Sequence, residues 1–288
     1  MKKQVVVLGG GNVGSAMAAD LLTCADLEVR VVDARRETAE QLRERYGVAT
    51  SVADLADPEA VPSAVAEAHV VLGALPAALA AQVLRAVVEV GRPYCDASCI
   101  REDVRVFHAL AVEHEVTIAY DCGAAPGLSD LMAAHAATRL SPCDRIEVAC
   151  AGAPRERRRR FDVAAAATGS TEGAATAVSP EWTDADGEPD GAILRVVAEG
   201  RRLGRRLHCV WEVRDDGDPT KRLASISRLA GLTAAAVARR IVSGDFRGQW
   251  GVFAPEVLGR RLGLLHGVLN DLAARGVRVS FSESPLAT

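Results

Sequence analysis

Gly9-Gly10-Gly11-Asn12-Val13-Gly14 places glycines at 9, 11 and 14, the spacing of a turn that cradles a diphosphate. Each glycine has its own task. Gly9 turns the chain out of a strand, Gly11 leaves bare backbone for a pyrophosphate, and Gly14 lets the next helix pack close to the sheet. Asn12 and Val13 are counted with the site at the mouth of that helix, whose free N–H groups and positive dipole end attract the anion. Asp33 follows Gly14 by nineteen residues. A carboxylate there accepts hydrogen bonds from the adenosine ribose hydroxyls and repels a 2′-phosphate, so NAD is the expected cofactor. Arg35 and Arg36 come next and would neutralise such a phosphate, which keeps NADP open. Gly73-Ala74-Leu75-Pro76 offers a second small-residue turn, over which a cofactor passes at the edge of a sheet; Ala74, Leu75 and Pro76 are counted with the site. The alternatives are glycine turns without a ligand, and the similar loop of a methyltransferase.

These residues need a parallel sheet to position them, and the neighbouring sequence has its pattern. Gln4–Leu8 is a β-branched run suited to a buried strand, followed by a helix over Val13–Thr23. Further strands are predicted at Leu27–Val32, Val48–Val52, His69–Leu72, from Pro93 to Cys95 and at Val116–Tyr120. Helices are predicted over Thr38–Tyr46, Pro58–Ala66, Ala77–Val90 and Glu102–His114. Such alternation implies a doubly wound α/β sheet of Rossmann type. After about Leu140 the pattern changes. Arg145–Cys150 reads as a strand, 164–191 as loops, and Ile193–Ala198 with Arg206–Trp211 as an antiparallel hairpin. A long helix over Ala224–Val242, bent near Gly231, precedes a last helix over Pro255–Arg275 and a strand at Val277–Phe281. The domains expected are a dinucleotide-binding domain over 1–140, with 222–288 packing back on it, and a smaller α+β substrate or dimerisation domain over 141–221.

Composition narrows the function classes. The 288 residues are 49% hydrophobic and 25% charged, with a net charge of −4. That balance suits a globular protein and argues against nucleic acid as a partner. No apolar run reaches the length of about 18–20 residues that crosses a bilayer. The basic start Met1-Lys2-Lys3 leads only to the short run Val5–Leu8, so a cytoplasmic protein is expected. Seven cysteines stand at 24, 95, 99, 122, 143, 150 and 209, with no CxxC pair, so neither a metal site nor a disulfide framework is expected.

Val6–Asp20, Val70–Pro76, Asp121–Leu131 and Leu229–Glu256 together resemble the saccharopine dehydrogenase family, and its lysine 6-dehydrogenase-like branch in particular. Asp121–Leu131, DCGAAPGLSDL, is the most specific of the four. The resemblance implies an NAD(P)-dependent oxidoreductase that interconverts an amine and an imine of an amino acid. Tyr94-Cys95-Asp96-Ala97-Ser98 resembles the family's strand-five motif near the nicotinamide. Asp121-Cys122-Gly123 with Pro126-Gly127 resembles the turn closing the cofactor pocket, and Cys150 begins a turn like that at the family's substrate edge. Ala125 stands where saccharopine reductases carry an acid, and Asp130 where the family often has asparagine. The stretch from Pro154 to Leu229 is shorter than the family's substrate domain.

Amine oxidation needs a base for the ammonium proton, while the cofactor carries the hydride. Asp121, at the end of the sixth strand, is the candidate base; its other reading is to cap the loop before Pro126 or to hold a substrate ammonium. Ser98 is a candidate for binding a substrate carboxylate or the nicotinamide carboxamide, with a helix cap before Glu102 as its ordinary role. Cys150 is a candidate at the substrate edge, against inert packing. His135 reads as a packed histidine, Lys221 as exposed, and Arg155–Arg160 as a solvated basic face or an attractor of anionic substrate. A homodimer through Ile193–Val213 is expected. The competing function is a regulatory or non-catalytic NAD(H)-binding protein of the same fold.

Overall fold

The computed structural model describes residues 2–57, 59–152, 155–161 and 191–286. It divides into two compact units. One comprises 1–123 and 230–253, the other 124–229 and 254–288. The expected boundary near 140 thus falls at 123/124, and of 222–288 only 230–253 joins the nucleotide unit. The helix at the head of the second unit belongs to that unit's own sheet, which is why the division comes early.

The first unit opens with β1 (Lys3–Leu8), α1 (Asn12–Leu21), β2 (Leu27–Asp33), α2 (Arg36–Tyr46) and β3 (Ala49–Val52). It continues with α3 (Ala60–Val65), β4 (Val70–Gly73), α4 (Ala77–Glu89), β5 (Tyr94–Asp96), α5 (His108–Glu113) and β6 (Thr117–Ala119). A further strand, β11 (Gly251–Phe253), pairs with β6. Among the described residues the sheet has seven strands in the order β11-β6-β5-β4-β1-β2-β3, each neighbouring pair parallel. The six-strand expectation missed β11. Val5, Val7 and Leu8 of β1 are fully buried and Val6 nearly so, as a parallel strand covered on both faces requires. β1 lies between β2 and β4, so the chain reverses its direction of travel across the sheet at β1. Ligands of such sheets bind beyond the carboxyl ends of the strands at that reversal.

The expected helix over 102–114 is shorter. It begins as a 3-10 turn at Val104–Phe107, where the Asp103 carboxylate accepts the Arg105 N–H at 3.0 Å. The expected helix start at Pro58 lies outside the described residues.

The second unit holds α6 (Ser129–Arg139), β7 (Cys143–Gly152), β8 (Arg155–Phe161), β9 (Ala192–Arg202) and β10 (Arg205–Asp215). Further along come α8 (Pro255–Leu258), α9 (Leu264–Ala273) and β12 (Arg278–Pro285). Its sheet is antiparallel, in the order β12-β10-β9-β7-β8. Alternate residues Leu194, Val196 and Ala198 of β9 are buried, as are Cys209, Trp211 and Val213 of β10. α6 packs against β7 and β9. The expected last helix over 255–275 is two helices, α8 and α9. Gly263 takes a left-handed φ of 81° between them, and a Cβ at Gly259 would stand 2.4 Å from the Leu131 carbonyl oxygen. The segment at 124–128 is kinked and α6 begins at Ser129. The loops expected at 164–191 fall almost entirely outside the described residues.

α7 (Ser225–Ser243) runs as one helix through Gly231. That glycine serves close approach: a Cβ on it would lie 2.6 Å from the Ala16 Cβ and 2.8 Å from the Val13 carbonyl oxygen of α1. Arg239, further along α7, pairs with the buried Asp20 of α1. Among the described residues no helix is long and apolar enough to cross a membrane.

Candidate cofactor site

A cleft of about 650 Å³ opens at the carboxyl ends of β1, β2 and β4. Gly9, Gly11, Asn12, Val13, Asp33, Ala74, Leu75, Pro76 and Ser98 all line it. Residues chosen from four separate stretches of sequence therefore meet on one surface. Gly14 lies behind it.

The three glycines divide their work as their spacing suggests. Gly9 has φ 95°, and a Cβ on it would stand 2.3 Å from the Ala74 carbonyl oxygen. A Cβ on Gly14 would stand 1.9 Å from the carbonyl oxygen of Gly9. These two permit the backbones of turn, helix and β4 edge to touch. Gly11 differs, since a Cβ there would meet nothing within 4 Å and would project into open space. Its lack of a side chain therefore serves something other than the protein's own packing. Gly11 is also the N-cap of α1, makes no side-chain cap hydrogen bond, and no acid stands in the helix's first turn. A pyrophosphate fits this arrangement: bare backbone, free helix N–H groups and a positive dipole end.

Asp33 closes the other side of the turn. Its Oδ2 accepts the Gly10 N–H at 2.7 Å and its Oδ1 accepts the Arg35 N–H at 2.8 Å. The carboxylate thus ties the glycine turn to the end of β2. Each oxygen keeps a second lone pair for a ribose hydroxyl. Arg35 Nε lies 3.7 Å from Asp33 Oδ1, on a largely exposed side chain. Beside the cleft is a polar pocket of about 220 Å³, lined by Gly11, Arg35, Thr38, Gln41 and Arg45 among others.

Ser98 is not a helix cap. Its hydroxyl oxygen accepts the Leu75 N–H at 2.8 Å and its O–H is directed to the Asp96 carboxylate. Asp96 is fully buried at the end of β5 and escaped the sequence reading as a site residue. Burial pushes its carboxyl up to about 6, against hydrogen bonds from Ser98, from the Tyr94 hydroxyl and from the Asp121 main chain that pull it down. Tyr94 Oη donates to Asp96 Oδ1 at 3.0 Å, and the Ser98 N–H donates to Oδ2 at 2.7 Å. Room for this pair comes from the neighbouring strand: a Cβ on Gly73 would stand 1.9 Å from Tyr94 Oη. The signal in the sequence was the segment Gly73-Ala74 opposite Tyr94-x-Asp96, which only strand pairing brings together.

Asp121 stands past the end of β6, half-buried, with a left-handed φ of 52°. Its Oδ1 accepts the Ile100 N–H at 3.1 Å, next to Cys99, which is also left-handed at φ 54°. Two non-glycine residues in this conformation at neighbouring strand ends mark local backbone strain of the kind that gathers at functional sites. Cys150 lies in the second unit, on the buried face of β7. His135 packs edge-on against Trp211 and His266 within that unit, as a packed histidine should. Lys221 sits in an exposed turn, 3.7 Å from Asp218. Among the described residues no His/Cys/Asp/Glu group could hold a metal ion.

Residues 5–119 match the family model of the saccharopine dehydrogenase NADP-binding domain. The apo, histidine-tagged saccharopine dehydrogenase (L-Glu forming) of Saccharomyces cerevisiae has the same fold. It is 13% identical with a TM-score of 0.75, over 99% of this chain and 100% of that one. A dipicolinate-bound dihydrodipicolinate reductase from Paenisporosarcina sp. TG-14 is also similar. It is 13% identical with a TM-score of 0.50, over 88% of this chain and 98% of that one. Residues 5–119 are thus similar to the saccharopine dehydrogenase NADP-binding domain, and the chain as a whole has the saccharopine dehydrogenase fold.

Proposed function

We propose that this chain is an NAD(P)-dependent oxidoreductase acting on the CH–NH or CH–NH2 group of an amino acid, interconverting amine and imine. One observation carries the reading: the glycine turn, Asp33, Ala74–Pro76 and Ser98 line a single cleft in which the Gly11 backbone faces open space. The bound dinucleotide would supply a hydride acceptor or donor at its nicotinamide ring. The chain's residues bind and orient it. α1 and Gly11 receive the diphosphate, and Asp33 receives the adenosine ribose. Asp121 takes the substrate's ammonium proton as general base, with Ser98 as the further catalytic candidate of the same unit. A diamino acid is the first substrate class to try, as the resemblance to lysine 6-dehydrogenase suggests.

The similarity of residues 5–119 to an NADP-binding domain and the polar pocket beside Arg35 and Arg45 favour NADP over the NAD expected from Asp33. Calorimetry with each dinucleotide, followed by turnover on a panel of diamino acids read at the reduced cofactor's absorbance, tests the proposal. Binding with reduction of cofactor supports it. Binding without turnover of any amine or imine replaces it by the regulatory reading, and no binding of either dinucleotide removes both. Arg35→Ala is expected to weaken NADP about tenfold, as loss of a charge-assisted hydrogen bond does, and to leave NAD little changed.

A further inference from the structure

Asp96 has no place in the scheme above, yet it is the most enclosed carboxyl group beside the cleft. Its side chain is 0% exposed, and it does not line the cleft itself. Four donors converge on it: Tyr94 Oη, the Ser98 N–H, the Ser98 hydroxyl and the Asp121 main chain. A carboxylate can accept all four. A neutral carboxylic acid cannot, because it carries a hydrogen of its own that needs an acceptor. The Ser98 hydroxyl is the donor free to rotate, and the same hydroxyl accepts the Leu75 N–H at 2.8 Å. Leu75 lies in the turn after β4 that forms one wall of the cleft. The adjoining Ala74 N–H is bound to the Leu8 carbonyl at 2.9 Å, and the Ala74 carbonyl abuts Gly9. The wall and the glycine turn are therefore registered on each other, and Ser98 is the side-chain tie that holds the wall's next amide.

We propose that Asp96 is a positioning residue of the cofactor cleft, whose carboxylate orients the Ser98 hydroxyl and through it fixes the Ala74–Pro76 wall. The proposal rests on the dinucleotide reading of the cleft. The titratable groups around Asp96 are Tyr94 on its own strand, Cys99, and Asp121 and Cys122 beyond β6. Burial moves its carboxyl to about 6, which brings the change of form within an accessible pH range.

The test measures dinucleotide affinity of the full chain from pH 8 to pH 5 for the wild type and for Asp96→Asn, which mimics the neutral acid. Any titration of the dinucleotide itself cancels in the ratio of the two. At pH 8 the variant should bind about tenfold more weakly, as the loss of a charged hydrogen-bond acceptor does. The ratio should approach one as the pH falls through about 6. Ser98→Ala should reproduce the loss, and the double variant should be no weaker than either single one, since both remove the same tie. Tyr94→Phe removes one donor to the carboxylate and should move the midpoint of the wild-type profile upward, which serves even where Asp96→Asn fails to fold. A ratio near one at every pH, additive losses in the double variant, or an unmoved midpoint in Tyr94→Phe overturns the proposal while leaving the dinucleotide reading intact. A wild type that binds neither dinucleotide overturns both.

Discussion

Gly11 and Gly14 are three residues apart, and the same substitution at each should fail in different ways. A methyl group on Gly14 would be driven onto the Gly9 carbonyl oxygen at 1.9 Å, so Gly14→Ala must shift α1 or the turn. Overpacking of this kind costs about 1–3 kcal/mol. The melting temperature should drop, and cofactor affinity with it. A methyl group on Gly11 meets no protein atom, so Gly11→Ala should melt like the wild type and still bind dinucleotide at least about tenfold more weakly, a loss of about 1.4 kcal/mol. Calorimetry beside thermal melting separates the two. If Gly11→Ala bound as tightly as wild type, the diphosphate would have to lie elsewhere. This division was legible in the sequence, because the tasks of a glycine turn depend only on local spacing. Asp96 was not legible. An aspartate two residues after a tyrosine acquires meaning only when Gly73 of the next strand leaves the space that buries both.

Elements show the same contrast between local and distant causes. Strands β1 and β4 were readable because each is a short apolar run closed by a turn signal. β11 was not: Gly251–Phe253 is three residues long, opens with a glycine, and pairs with β6 from a remote part of the chain. His135 of α6 sits between Trp211 of β10 and His266 of α9. Burial, then His266 and Arg139, push its imidazole down to about 4. The folded second unit therefore holds this histidine neutral, while the unfolded chain takes up a proton below about 6.5. Stability contributed by the neutral form is fully present above that value and is lost as the pH falls from about 6.5 to about 4. Melting followed from pH 7 to pH 4 should show this decline, and His135→Phe should flatten it. An unchanged slope in the variant would assign the acid sensitivity to other groups. Arg228, at the start of α7, pairs with the buried Asp215 and also donates to the Arg275 carbonyl. Arg228→Ala should cost about 3–5 kcal/mol, because it removes the guanidinium paired with a buried carboxylate. Chemical denaturation measures that loss directly.

For the whole molecule, the division into two units gives the clearest expectation. All the cofactor contacts proposed here belong to the first unit. Dinucleotide at about one hundred times its dissociation constant should stabilise that unit by about 2.7 kcal/mol. Scanning calorimetry should show its transition rise with cofactor. A rise of equal size throughout the chain would mean that the two units melt as one. The homodimer inferred for Ile193–Val213 has a matching test. The solvent-side residues of β9 and β10 carry Arg195 and Arg214 against Glu212, and His208 against Glu199. Association through this surface should weaken in high salt, which sedimentation will reveal.

The placing of β11 has a consequence for the order of assembly. The outermost strand of the nucleotide sheet is made only after most of the second unit has left the ribosome. Until then the rim formed by Thr117–Ala119 has main-chain amides and carbonyls with nothing alongside them. A fragment stopping at residue 123 should consequently clump, and supplying 230–253 as a separate peptide should restore it to solution.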